Sequence, residues 1–188
     1  MGRWLPDAQG RLTAAALELY AENGFEQTTV AEIAERAGVT ERTFFRYFTD
    51  KREVLFAGSE HLSAVALAAV EAAPDDASAI EVVAAAITAI AHEHAPNREY
   101  SRRRATVVSA TTSLQERELL KMWSLSAALS AAVQRRGVAK VEADLAAGAG
   151  TSIYGLAFAQ WVAEGETREL VEIVNEHFAH LKGIRSGA

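Results

Sequence analysis

The chain has 188 residues, of which 49% are hydrophobic and 23% charged, and a formal net charge of −6. That apolar share can bury a core and excludes a disordered chain, while the length suits one small and one larger domain. With no cysteine, disulfides and zinc fingers are excluded, which fits a reducing compartment.

No alternating strand pattern of useful length occurs, and Pro6, Pro74 and Pro96 all stand near expected helix ends. The spacing therefore predicts an all-α chain. Residues 1–7 lack the hydrophobic segment of a signal peptide. The longest apolar run, 148–163, carries Thr151, Ser152, Tyr154 and Gln160 and is too short and polar to span a bilayer. A cytoplasmic protein with no membrane partner is expected.

The first helix is predicted over 7–23, with Leu12, Ala15, Ala16, Leu19 and Tyr20 on one face, Gly24 ending it and Phe25 turning back into the core. Thr28 and Thr29 offer N-cap hydroxyls to a second helix over 30–37, and Thr29 with Glu32 has the spacing of a capping box. Val30, Ile33, Ala34 and Ala37 form its apolar stripe. Gly38 follows at once, where a left-handed residue would close the helix. Val39 fills the corner, and Thr40 caps a third helix over 41–48 whose Phe44 and Phe48 are four apart and face the core. Two short amphipathic helices joined at a glycine make a helix-turn-helix, the commonest way to place a helix in the major groove of DNA. The remaining face holds Glu41, Arg42, Thr43, Arg46 and Tyr47, side chains suited to base edges and phosphates.

A fourth helix, begun by Thr49 or Asp50, is predicted to run to Ala72 as the mechanical link to a second domain. Five more follow at 77–94, 97–111, 114–135, 141–164 and 167–184. The division is thus 1–50 for the helix-turn-helix and 51–188 for a helical bundle that binds ligand and dimerises. The 141–164 helix is apolar around much of its circumference and contains Gly148, Gly150 and Gly155, each costing about 1 kcal/mol against alanine. Close approach of another helix would offset that cost, so the last two helices are the expected dimer interface. Internal packing is the alternative.

Charge argues both ways. Residues 1–58 hold seven Lys and Arg against nine Asp and Glu, so the reading domain is itself near −2, yet four of the seven cations fall within 42–52. Binding should rest on a few placed contacts, with a modest salt dependence.

The order Thr28-Thr29-Val30, Ile33-Ala34, Ala37-Gly38-Val39-Thr40, Thr43-Phe44-Phe45-Arg46-Tyr47-Phe48, Lys51 and Val54-Leu55 resembles the N-terminal domain of tetracycline-repressor-type (TetR) transcriptional regulators. The likeness runs from about Gly10 to Leu55, and the remainder agrees only in length and helical character. It implies a ligand-responsive DNA-binding regulator, a repressor, that binds a palindromic operator as a homodimer through its two C-terminal helices and is released by a small molecule. A constitutive DNA-binding protein without an effector is the alternative. The resemblance gives Tyr47 and Lys51 to phosphates, with Thr29 and Thr40 offering hydroxyls and helix-start amides. Arg42, Thr43 and Arg46 are expected on base edges or adjacent phosphates. Many relatives carry tyrosine where this chain has Phe45, so one phosphate contact is missing there and Phe45 is expected simply to pack.

Elsewhere the signals are thinner. Tyr100, Met122, Trp123, Tyr154 and Phe158 lie on several helices and could line an effector pocket in the bundle, against the reading that they are plain core. Arg102-Arg103-Arg104 points around most of a helix, which reads as a solvated run. His92 and His94 cannot share a helix face; His177 and His180 can, but no carboxylate completes a metal site. No cofactor is implied. No nucleophile–base set is evident, and Gly148-Ala149-Gly150-Thr151 lacks the lysine and the strand of a phosphate loop, so no enzymatic activity is expected.

Overall fold

The computed structural model describes residues 7–184. Among them are nine α-helices and two short 3₁₀ turns: α1 Ala8–Asn23, α2 Val30–Arg36, α3 Glu41–Tyr47, a turn at Glu53–Phe56, α4 Ser59–Ala72, α5 Ala79–His94, a turn at Ala95–Asn97, α6 Arg98–Ser109, α7 Thr112–Arg135, α8 Lys140–Trp161 and α9 Leu170–Ile184. The predicted boundaries hold within a few residues, with one exception. Residues 49–72 are not a single helix. Ala57 and Gly58 separate the Glu53–Phe56 turn from α4. By length and composition Glu53–Ala72 could cross a bilayer, but it is interrupted there, and its buried side chains enter two different cores.

The chain forms two compact units. One holds the residues up to Ala57 together with Arg103–Glu118; the other holds Gly58–Arg102 and everything from Leu119 onward. The first is larger than the 1–50 expected. Val54, Leu55 and Phe56 are all buried, and three consecutive buried side chains point around most of a helix, so this segment is enclosed rather than lying on a surface. The α6–α7 corner supplies part of the enclosure. Arg104 Nε donates to the Leu55 carbonyl at 2.8 Å, its guanidinium covers the Phe56 ring, and its NH1 meets Glu118 at 2.8 Å. Arg117 pairs with Glu53.

In the second unit, Val82, Val83, Ala86, Ile87 and Ile90 of α5 form the middle of the core, packed with buried residues of α4, α7, α8 and α9. Arg98 and Arg102 end α8: Arg98 donates to the carbonyls of Trp161 and Glu166, and Arg102 to those of Val162 and Ala163. The carbonyls of Trp161 and Val162, at the end of the helix, lack helical partners of their own. The run 102–104 is therefore not a solvated stretch, since Arg102 and Arg104 each close a distant turn and only Arg103 is left exposed.

Gly150 answers the question its position raised. It is buried, and a Cβ added there would run into Val83 Cγ1 of α5. Its close approach is to α5 of the same subunit. A Cβ at Gly148 or Gly155 would meet nothing within 4 Å.

Candidate nucleic-acid interface

The helix pair starts from well-satisfied ends. Thr29 caps α2: its hydroxyl accepts from the Glu32 amide at 3.2 Å, and the Glu32 carboxylate accepts from the Thr29 amide at 2.7 Å. Those bonds hold the Glu32 carboxyl below its usual range. Thr28 takes a different task from the one expected. Its buried hydroxyl donates to the Gly24 carbonyl and approaches that of Leu19, tying the end of α1.

At the other end of α2, Gly38 adopts φ 68°, with its amide on the Glu35 carbonyl and the Val39 amide on that of Ala34. This is a Schellman closure, which a residue with a Cβ would enter only under strain. It turns the chain into Thr40, whose hydroxyl accepts from the Thr43 amide at 3.2 Å and begins α3. Phe44 and Phe48 go inward with Ile33, Ala34 and Ala37. Arg42, Phe45, Arg46 and Tyr47 are thereby left outward, and a shallow concavity is lined by Arg42, Thr43, Phe45 and Arg46.

The electrostatics of this face follow from which cations are already committed. Arg36 pairs with Glu18 and Glu22, Arg52 with Asp50, and Arg11 donates to the Ala37 carbonyl. Arg42 has no hydrogen-bond or ion-pair partner among the described residues. Arg46 donates only to the Tyr47 hydroxyl, at 3.1 Å, with its guanidinium 4.8 Å from that ring. Neither charge is neutralised by a carboxylate, so both can meet an anionic surface.

Lys51 departs from the expectation that it holds a phosphate. Its ammonium donates to the carbonyls of Phe25, Glu26 and Thr28 at 2.7, 3.2 and 2.9 Å and sits 4.3 Å from the centre of the Phe25 ring. Three donors meet three acceptors. Tyr20 completes this knot by donating its hydroxyl to the Lys51 carbonyl at 2.6 Å; burial, aided by the charge of Asp50, pushes its phenol pKa well above the ordinary value.

In the second unit, the expected pocket residues separate. Tyr154 and Phe158 come together, their rings 5.9 Å apart, and form a continuous run with His94 and Trp161. The Tyr154 hydroxyl lies 3.3 Å from His94 Nδ1. Trp161 is fully buried and its Nε1 has no partner among the described residues. Met122 packs against the core and Tyr100 is half-buried. Trp123 does not belong to any interior site, being 72% exposed. Sequence reasoning missed His94 and Trp161, although Tyr154, Phe158 and Trp161 follow the i, i+4, i+7 spacing of one helix face.

Two capped helices around a left-handed glycine, with unneutralised guanidiniums outward, define a helix-turn-helix protein of all-α architecture. Residues 12–57 match the family model for bacterial regulatory proteins of the tetR family, and residues 77–185 match that of the MftR C-terminal domain. The chain belongs to the TetR family of transcriptional regulators. It is 36% identical over 88 residues to the HTH-type transcriptional regulator TcmR of Streptomyces glaucescens; that match spans 47% of this chain and only 39% of the relative. Among solved structures, a TetR-family transcriptional regulator of Syntrophomonas wolfei superposes with a TM-score of 0.69 at 18% identity, covering 96% of both chains. The Bacillus subtilis regulator FadR, in complex with stearoyl-CoA, superposes with a TM-score of 0.63 at 21% identity over 92% of this chain and 96% of that one.

Proposed function

We propose that this protein is a transcriptional repressor that reads a palindromic operator as a homodimer and leaves it when a small molecule occupies its C-terminal bundle. It acts in the cytoplasm by binding, without catalysis. The observation that carries the reading is α3: a capped helix whose outer face sets Arg42, Thr43, Arg46 and Tyr47 toward solvent with neither arginine neutralised. Arg42 and Arg46 are the base or phosphate contacts, and Tyr47, Thr29 and Thr40 are backbone contacts. Lys51 supports the fold of the reading head from behind.

For dimerisation we look to α8 and α7 in place of α9. Val141, Leu145 and Leu156 of α8 and Leu119, Leu120 and Trp123 of α7 are the large apolar side chains most exposed in the second unit. The outer face of α9 instead carries Glu172, Asn175, Glu176 and His180. A second copy placed on the α8 face would cover apolar surface that is costly to leave in water, and two-fold symmetry would present two α3 helices to half-sites about 34 Å apart. Tyr154, Phe158, His94 and Trp161 form the effector site, with the Trp161 indole N–H as a donor for the ligand. The acyl-CoA held by FadR makes stearoyl-CoA a suitable first probe.

The test begins with sequencing genomic fragments captured by the purified protein, followed by gel shift on the enriched site. A single palindromic motif is expected, with Arg42→Ala and Arg46→Ala each weakening it by about 1–3 kcal/mol while leaving the fold intact. Unchanged affinity in both variants would overturn the assignment of α3. An operator complex that no small-molecule panel releases or stabilises would favour the constitutive alternative.

A further inference from the structure

We infer that Phe45 is a specificity residue that reads thymine through its 5-methyl group. The inference rests on the DNA-binding reading and deepens it. Phe45 is 56% exposed in the middle of α3. Its neighbour Phe44 is fully buried, so the core at this level is already filled, and the two rings meet only edge-on at 5.3 Å. Packing therefore does not account for the outward ring.

Position adds the second observation. Arg42, Phe45 and Arg46 stand at i, i+3 and i+4, which puts the ring on the same helix face as the two unneutralised guanidiniums and within the concavity they line. An apolar ring carried between two cations on a helix of this kind will be pressed against whatever those cations bind. It has no hydroxyl to offer a phosphate. In the major groove, every base pair presents polar edges, and the thymine C5-methyl is the one apolar group larger than a C–H; contact with it is a known use of small apolar and phenylalanine side chains. The proposal thus places one thymine in each half-site, next to the groups that Arg42 and Arg46 engage.

The experiment uses the full-length protein and the captured operator. Each thymine is replaced in turn by uracil, which removes one methyl and leaves the pairing edge unchanged, and affinities are compared for the wild type, Phe45→Ala and Phe45→Tyr. One symmetric pair of positions is expected to lose about three- to fivefold per methyl in the wild type and in Phe45→Tyr, and to show no loss in Phe45→Ala. Because the side chain is exposed, all three proteins should melt alike by circular dichroism. Equal uracil sensitivity in the wild type and Phe45→Ala, or none at any position, overturns the role of Phe45 while the DNA-binding reading stands. Failure to enrich any DNA overturns that reading and this inference with it.

Discussion

Lys51 and Phe45 exchange the jobs that their residue types suggest. The lysine, six positions beyond the phenylalanine, turns inward to three carbonyls at the α1–α2 connection, whereas the phenylalanine turns out to solvent. A cation in that position neutralises the partial negative charge of three backbone oxygens gathered where α1 ends and α2 has not begun. Lys51→Met keeps most of the apolar stem and removes the donors. It should lower unfolding free energy by about 2 kcal/mol, measured by chemical denaturation, while operator affinity at temperatures well below the melt changes little. A large loss of affinity with unchanged stability would return Lys51 to the phosphate backbone. The sequence could not reveal this, because Lys51 and its partner carbonyls lie 23 to 26 residues apart and backbone acceptors leave no trace in composition.

At the scale of elements, local features were the legible ones. Thr29, Glu32, Gly38 and Thr40 act within four residues of themselves, so spacing alone placed α2, the turn and α3. The interruption at Ala57–Gly58 was hidden, since Val54, Leu55 and Phe56 fit a helical period as well as they fit an enclosed turn; what enforces the turn is the α6–α7 corner, with Arg117 64 residues from Glu53. Two predictions belong here. Glu32 has its pKa lowered from 4.5 by bonds from Thr29, so the capping box stabilises above that value and the contribution is lost as pH falls through the lower folded-state value. The stability gap between wild type and Glu32→Ala should accordingly be constant near neutrality and close as pH is taken from about 5 to 3, followed by thermal melting. A gap that widens toward acid would contradict the capping role. Gly150→Ala, by contrast, should destabilise by about 1–3 kcal/mol because the added methyl meets Val83 on α5; sedimentation of the folded variant should still give the wild-type oligomer. A stable variant with altered oligomeric state would move Gly150 back to a subunit interface.

For the whole molecule, net charge of −6 has to be reconciled with an anionic partner. The unit that contains α3 holds ten Lys and Arg against eleven Asp and Glu, a balance of −1. Four of its nine arginines are held by its own carboxylates: Arg36 by Glu18 and Glu22, Arg52 by Asp50, Arg104 by Glu118 and Arg117 by Glu53. Arg42 and Arg46 are the ones aimed outward from α3. If both engage phosphates in each copy of a dimer, four phosphates are neutralised, and log affinity should fall with log salt at a slope of about −3.6, far shallower than for a protein with a broad basic surface. Arg42→Ala separates the two kinds of contact. Loss of a phosphate contact at both half-sites makes the slope shallower by about 2 and weakens all sequences alike; loss of a base contact leaves the slope in place and relaxes preference at one symmetric pair of positions. A wild-type slope near −8 or steeper would mean that other cations carry the binding, and would remove α3 as its principal source.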